Sequence, residues 1–271
     1  MTLILTVATD RKVIQASDRL ATLPDGTVHN DKANKTVAVT CQEGQFSISF
    51  TGAAYIDGKS TDNWIGDYLT DLHAGSLGTK TICDSLVAQM SQTQPLFSVP
   101  LLSLVLCGYV RERSFMALIS NFEYWKPNKI VSPEAAFHLE VEILRESFNP
   151  AKALGLCIHG CEKAITQKIE HKLKRLRKKH FFKNNDAHTV ALKLVEVIRE
   201  ASHTPNHGKY IGRDCLSIAI SRNPNEGVEV MYHPEKESPK RYGPYIVNSI
   251  GSIKGIEIEG DMEVRFFPHN G

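Results

Sequence analysis

Cysteine, aromatic residues and long apolar runs are all scarce in this sequence of 271 residues. The six cysteines are scattered rather than grouped, which favours buried free thiols in a reducing compartment over a disulfide framework. The longest apolar run, Val99 to Val110, is interrupted by Pro100 and Ser103 and is too short to span a bilayer. We therefore expect neither a disulfide-rich secreted module nor a helical membrane protein.

A charge excess of one sign and a targeting signal are also missing. The chain has 32 basic and 30 acidic residues and a formal net charge of +2 at pH 7, so its total charge indicates no partner class. The first residues lack the basic segment, apolar core and small-residue cleavage site of a signal peptide. A cytoplasmic protein is the expectation.

Apolar periodicity predicts strands and helices in alternating groups: strands, two helices, strands, two helices, strands. Two sheets packed face to face, with helices outside each, would bury all of these apolar faces. We therefore predict an α+β fold, a four-layer α-β-β-α sandwich of two antiparallel sheets flanked by helices. The predicted strands are residues 3–8, 13–16, 36–39, 46–50, 101–109, 114–120, 137–143, 215–221 and 228–232, and the predicted helices are residues 64–72, 82–90, 162–179 and 187–202.

The chain is predicted to divide near residue 233. Residues 1–233 hold the predicted sandwich, and the polar stretch from Pro234 to Pro244 is typical of a linker. Residues 234–271 are therefore predicted to be a linker followed by a C-terminal β-like extension.

Thr2 directly follows Met1 and is small enough for a methionine aminopeptidase to expose it. A threonine with a free α-amine carries a nucleophile and a base in one residue, because the amine has a pKa of only about 7.7–8.0. By itself, Thr2 is more simply explained as the first residue of a strand, where threonine is common.

Three further segments give Thr2 a context: Ala16-Ser17-Asp18-Arg19-Leu20-Ala21-Thr22, Lys32-Ala33-Asn34-Lys35-Thr36-Val37 and Ser49-Phe50-Thr51-Gly52-Ala53-Ala54. In this order and spacing, the chain resembles the β-subunits of proteasomes and the proteasome-like peptidases of bacteria, which are N-terminal nucleophile hydrolases. The resemblance covers roughly residues 2 to 232 and is strongest over about the first 60 residues.

The resemblance implies a role for each matching residue. Thr2 would attack a peptide or amide carbonyl, with its own amine as the base. Lys35 would keep a positive charge beside Thr2, and Asp18 would orient Lys35 through an ion pair. The backbone N–H of Gly52 would donate to the oxyanion, and Thr22 would lie on the strand edge that pairs with substrate.

Lys32 is a rival for the role of Lys35. Lys35 is preferred because it directly precedes the predicted strand, as it does in the family. Each residue also has a simpler interpretation: Asp18 as a turn residue, the lysines as solvated charges and Gly52 as a bend.

The sequence departs from the family at three positions: a serine that contacts the terminal amine is replaced by His159, and an aspartate and a second serine by Gly208 and Ile211. One hypothesis is that His159 relays protons to the Thr2 amine, since imidazole titrates near neutrality. A packed histidine bonded to backbone is the alternative. Cys157-x-His159-x-Cys161 matches no common zinc spacing, so no metal site is predicted.

The basic run from Lys168 to Lys183 is predicted to be an amphipathic helix with a solvated basic face. A docking surface for an acidic partner is the second interpretation. Nucleic acid is the third, because one helix without aromatic residues interleaved among its basic residues, Lys168 to Lys179, is a weak indication of such binding.

The expected function is that of a threonine peptidase or amidase that uses no metal or organic cofactor. Family resemblance implies a homo-oligomer, in a ring, and leaves open whether an unfolding ATPase is a partner. The alternative function is that of a catalytically inactive structural or binding protein that keeps the fold.

Overall fold

The computed structural model describes residues 2–9, 11–22, 27–93, 101–121, 137–143, 155–236, 241–242, 244–249, 251–253, 257–258 and 263–266. Over these residues the fold is a mixed α+β fold with antiparallel sheets and five α-helices, which confirms the predicted fold class. None of the helices in these ranges is both long and apolar enough to cross a membrane. All six cysteines are free, as predicted, and all but Cys157 are buried.

The predicted strands and helices are present, with bounds that differ by a few residues. The helices are α1 (Thr61–Asp71), α2 (Thr79–Thr93), α3 (Gln167–Lys178), α4 (Phe181–Asn184) and α5 (Ala187–Ala201). The strands are β1 (Leu3–Ala8), β2 (Lys12–Asp18), β3 (Ala21–Thr22), β4 (Val28–Asn30), β5 (Thr36–Cys41), β6 (Gly44–Gly52), β7 (Tyr55–Ile56), β8 (Lys59–Ser60), β9 (Leu102–Val110), β10 (Arg113–Ser120), β11 (His138–Ile143), β12 (Gly155–Gly160), β13 (Cys215–Ser221), β14 (Val228–His233), β15 (Arg241–Tyr242), β16 (Tyr245–Asn248), β17 (Gly251–Ile253), β18 (Glu257–Ile258) and β19 (Glu263–Phe266).

Two large sheets organise these strands. The six-stranded sheet has the order β12-β1-β2-β13-β14-β19, and the seven-stranded sheet has the order β11-β10-β9-β6-β5-β16-β17. Neighbouring strands are antiparallel except for β16, which runs parallel to β5. Strands from beyond residue 233 thus join both sheets, a contribution that the polar and proline-bearing sequence there did not indicate. The boundary at residue 233 stays a prediction.

Buried apolar side chains form three large clusters, and each cluster joins a different pair of surfaces. One joins the seven-stranded sheet to α1 and α2, and a second joins the six-stranded sheet to α3 and α5. The third contains side chains from both sheets. Burial of this apolar surface is the main favourable contribution to folding. Typical members are Phe46 and Leu86 in the first cluster, Leu5 and Leu194 in the second, and Ala38 and Ile218 in the third.

A polar group of side chains also ties the two sheets together. Gln15 on β2 accepts hydrogen bonds from Ser47 (2.9 Å) and Ser49 (2.6 Å) on β6, and its amide donates to the Val105 carbonyl (3.3 Å). These buried groups are satisfied by one another, so they fix the relative position of β2 and β6 at little cost. The candidate site lies at the ends of these two strands.

Candidate active site

Four of the predicted site residues lie on one cleft. Thr2, Thr22, Lys35 and Gly52 line a cavity of about 200 Å³, together with the rival Lys32. They come from the start of β1, from β3, from the segment before β5 and from the end of β6, so folding brings together residues from both large sheets.

Several other residues line the same cleft and were not predicted to do so. Phe50 and Ala54 contribute apolar surface, and Asp62, at the start of α1, contributes a buried carboxylate. Phe50 and Ala54 belong to the segment that carries the resemblance, two residues on either side of Gly52. Period two in a strand would have pointed to Phe50, because residues i and i+2 lie on one face.

Asp18, the last residue of β2, is fully buried and accepts hydrogen bonds on both carboxylate oxygens. Its Oδ1 accepts from the Leu3 amide (2.8 Å). Its Oδ2 accepts from the amides of Leu20 (3.0 Å) and Gly212 (3.1 Å) and from Lys35 Nζ (3.0 Å). Gly212 can approach this closely because it has no side chain: a Cβ there would lie 2.7 Å from Leu20 Cβ. Asp18 is therefore held as an oriented acceptor and not as a turn residue in solvent.

Lys35 is 3% exposed and makes the predicted ion pair with Asp18. Its Nζ also donates to the Leu20 carbonyl at 2.6 Å, so two of its three donors are engaged by described residues. Burial lowers the pKa of Lys35, and the charge and hydrogen bond of Asp18 oppose that shift. The rival Lys32 lies exposed at the rim of the cleft, so the structure places Lys35 and not Lys32 beside Asp18.

Thr2 is 3% exposed and is held by backbone and side-chain contacts at both its nitrogen and its carbonyl. Its N–H donates to Thr51 Oγ1 at 3.3 Å. Its carbonyl accepts from the Cys161 amide at 2.8 Å and from Thr51 Oγ1 at 3.4 Å. Thr51 was not predicted to be a site residue, although it directly precedes Gly52 in the sequence.

Gly52 forms an exposed part of the cleft wall in a conformation that favours glycine. Its φ is +109°, and a Cβ there would lie 1.9 Å from the Leu101 carbonyl oxygen. A side chain at this position would displace the backbone. The close approach of the Leu101 carbonyl therefore explains why this residue is a glycine. The backbone of Gly52 lines the cleft.

His159 lies on β12, opposite Ile4 in the ladder with β1, and outside the lining of the cleft. The residue is 8% exposed, and burial lowers the pKa of its imidazole to about 4. The ring is therefore neutral at pH 7, because this pH lies well above the pKa of about 4 at which it gains and loses a proton. The relay from His159 to Thr2 stays a prediction.

Cys157 and Cys161, which flank His159, do not face a common point. Cys157 packs against the cluster between the sheets, whereas Cys161 belongs to the cluster beneath α3 and α5. Among the residues that the structure describes, no group of three or more histidine, cysteine or acidic side chains could hold a metal ion.

Packing accounts for the residues at Gly208 and Ile211, two positions at which the sequence differs from proteasome β-subunits. A Cβ on Gly208 would lie 2.2 Å from the Ser202 carbonyl oxygen, so an aspartate would not fit without a backbone shift. Ile211 is 4% exposed and packs in the cluster with α5. Neither position supplies a polar side chain near Thr2.

The basic run contains the helix α3, whose Ile169 and Leu173 are buried as the amphipathic pattern predicted. Part of its basic face is paired: Lys172 contacts two glutamates of α5, and Lys168 contacts one of them, Glu200. Lys174 pairs with Glu170 on the same helix, and the remaining basic side chains of α3 are exposed. Docking of an acidic partner on this face stays a prediction.

No protein-family model matches the sequence, and no curated protein matches it either. The comparison with proteasome β-subunits therefore depends on the order of the site residues and on their geometry in the cleft.

Proposed function

We propose that this chain is an N-terminal threonine hydrolase of the proteasome type, which cleaves peptide or amide bonds with Thr2 as the nucleophile. The observation that carries the proposal is the buried Asp18–Lys35 ion pair, whose lysine lines the same cleft as Thr2. The three apolar clusters support the finer fold assignment, a four-layer α-β-β-α sandwich, because they fill the spaces expected between helices and sheet, sheet and sheet, and sheet and helices.

Activation requires cleavage of the bond between Met1 and Thr2, which frees the α-amine. The amine accepts the Thr2 hydroxyl proton while Oγ attacks the substrate carbonyl and forms a tetrahedral intermediate. The intermediate expels the leaving amine, which takes the proton from the Thr2 ammonium. Water then attacks the resulting ester, with the amine again as the base, and releases the acid and free Thr2.

The surrounding charges favour this sequence of steps. The Lys35 ammonium disfavours a second positive charge on the nearby amine and stabilises developing negative charge on the Thr2 oxygen. The Oδ2 atom of Asp18 accepts from Lys35 Nζ and from two backbone amides. The carboxylate is therefore held in place, and it holds the Lys35 ammonium in a defined position. The Gly52 N–H is the proposed oxyanion donor, and Thr22 is the proposed contact for an extended substrate.

A second candidate is a catalytically inactive binding protein with the same fold. Gly208 and Ile211 favour it, because their packing excludes the polar side chains that the family carries at these positions.

The resemblance also leads us to propose a homo-oligomer, in a ring, and light scattering of the purified protein tests that part separately.

A peptide epoxyketone tests the catalytic proposal, because this reagent reacts with a hydroxyl and a neighbouring amine together. We expect peptide mapping by mass spectrometry to locate one adduct on Thr2. Thr2→Ser keeps both reacting groups and should form the adduct, whereas Thr2→Ala should not. A chain that has lost Met1 and still forms no adduct with epoxyketone or β-lactone probes would support the inactive candidate.

A further inference from the structure

Thr51 makes a contact with Thr2 from the opposite sheet. Thr51 lies on β6, in the seven-stranded sheet, and Thr2 directly precedes β1, in the six-stranded sheet. The neighbours of Thr51 on either side, Phe50 and Gly52, line the cleft, whereas Thr51 does not and is 5% exposed. Its hydroxyl therefore reaches Thr2 from the side that faces away from the cleft.

The hydrogen bonds of Thr51 assign a direction to its hydroxyl. A hydroxyl has one proton to donate and two lone pairs. Because Oγ1 donates to the Thr2 carbonyl (3.4 Å), it can act only as an acceptor toward the Thr2 nitrogen (3.3 Å). Both distances are long for such bonds, so each contact is adjustable.

The backbone around this contact is built for close approach. A Cβ on Gly160 would lie 1.9 Å from the Thr2 carbonyl oxygen and 2.9 Å from Thr51 Oγ1. Gly160 has a φ of +93°, which also favours glycine. The Cys161 amide donates to the same carbonyl at 2.8 Å. The carbonyl of Thr2 thus accepts from two donors, and its nitrogen donates to Thr51.

We propose that Thr51 is a positioning residue for the terminal amine of Thr2: its hydroxyl accepts one amine N–H and so directs the nitrogen lone pair toward the Thr2 hydroxyl. This inference rests on the proposed function. The residue acts through Thr2 and touches no substrate. It supplies the amine with a hydroxyl contact from β6, although His159, Gly208 and Ile211 have replaced the polar groups of the family.

The proposal has a kinetic consequence and a titration consequence. An acceptor beside the amine favours the ammonium, so removal of the hydroxyl lowers the pKa of the amine. The other titratable groups that the described residues place around Thr2 are Lys32, Lys35 and Asp62 in the cleft lining, Asp18, which accepts from the Leu3 amide, and Cys161, whose amide donates to the Thr2 carbonyl. These groups are unchanged when Thr51 is replaced, so a shift between variants reports the hydroxyl.

The experiment compares Thr51→Val, which removes the hydroxyl at similar size, with Thr51→Ser, which keeps it. The measured quantity is the rate of Thr2 labelling by a peptide epoxyketone over a range of pH. Because one hydrogen bond to the amine is lost, we expect Thr51→Val to be labelled about tenfold more slowly at neutral pH. We also expect the acidic limb of its pH–rate profile to move to lower pH. Thr51→Ser should restore both to within about twofold of the unmodified protein.

Labelling of Thr51→Val at the original rate and with the original pH dependence would overturn the proposal, and so would a Thr51→Ser variant as slow as Thr51→Val. If Thr51→Val does not fold, as judged by circular dichroism, Thr51→Ala replaces it under the same criteria. Absence of labelling in the unmodified, Met1-free protein is a different result: it removes the proposed function, and the role of Thr51 with it.

Discussion

Replacement of Asp18 by asparagine is expected to be more damaging than replacement of its partner Lys35 by methionine. Asp18 accepts from Lys35 and from three backbone amides, those of Leu3, Leu20 and Gly212. An asparagine side chain would keep a single acceptor oxygen and would turn an NH₂ group toward some of these donors. It would also leave the Lys35 ammonium buried without a counter-charge.

The magnitudes follow from what remains after each change. Removal of one partner from a buried ion pair costs about 3–5 kcal/mol, and we expect this for Asp18→Asn. In Lys35→Met the carboxylate keeps its three backbone donors. The loss is then mainly that of a charged hydrogen bond, about 1–3 kcal/mol. Combining the two changes should cost less than their sum, by roughly 1 kcal/mol or more.

Urea unfolding of the three variants at neutral pH measures these free energies. The discriminating quantity is the difference between the two single variants under identical conditions. A Lys35→Met variant that is destabilised as much as Asp18→Asn would refute the reasoning, because it would mean that the backbone amides do not support the carboxylate. Strict additivity in the double variant would show that the ion pair itself contributes nothing.

Two further predictions concern Gly52 and His159. Gly52→Ala should lower stability by about 1–3 kcal/mol and abolish Thr2 labelling, because the new Cβ meets the Leu101 carbonyl; Gly58→Ala, with φ +75° and no atom within 4 Å, is the control and should retain labelling. For His159, the pKa of about 4 in the folded protein lies below the ordinary value of 6.5, so the unfolded state binds the proton more tightly. The free energy of unfolding should therefore be unaffected by this residue above pH 6.5 and should fall as the pH is lowered from 6.5 toward 4. The loss should reach roughly 3 kcal/mol and be absent in His159→Asn, as measured by unfolding at several pH values; unchanged labelling of that variant would remove the proton relay.

The strands and helices that were predicted could be recognised because their apolar residues follow the periods of regular structure, whereas β12, which pairs with β1, was not predicted. The order of the site residues likewise led to one cleft: Lys35 and Gly52 line it, and the buried Asp18 pairs with Lys35. The preference for Lys35 over Lys32 agrees with the geometry, because Lys35 alone of the two contacts Asp18.

Contacts between the two sheets were beyond the reach of sequence patterns. Thr51 and Gln15 contact residues that are far away in the chain, and polar residues in a strand are usually expected to face solvent. The strands β16 and β19 were not predicted to join the large sheets. They follow the polar segment from Pro234 to Pro244, and their pairing partners, β5 and β14, precede it in the chain. The close contact between Gly208 and the Ser202 carbonyl could not be predicted from the sequence either.

The N-terminal residue of the protein purified from its native source tests the central claim most directly. Mass spectrometry of the intact chain, followed by sequencing of its first peptide, identifies that residue. The account predicts Thr2 with a free α-amine. Met1 retained on the native protein would contradict the account, because the Thr2 nitrogen would then be an amide and could not act as the base.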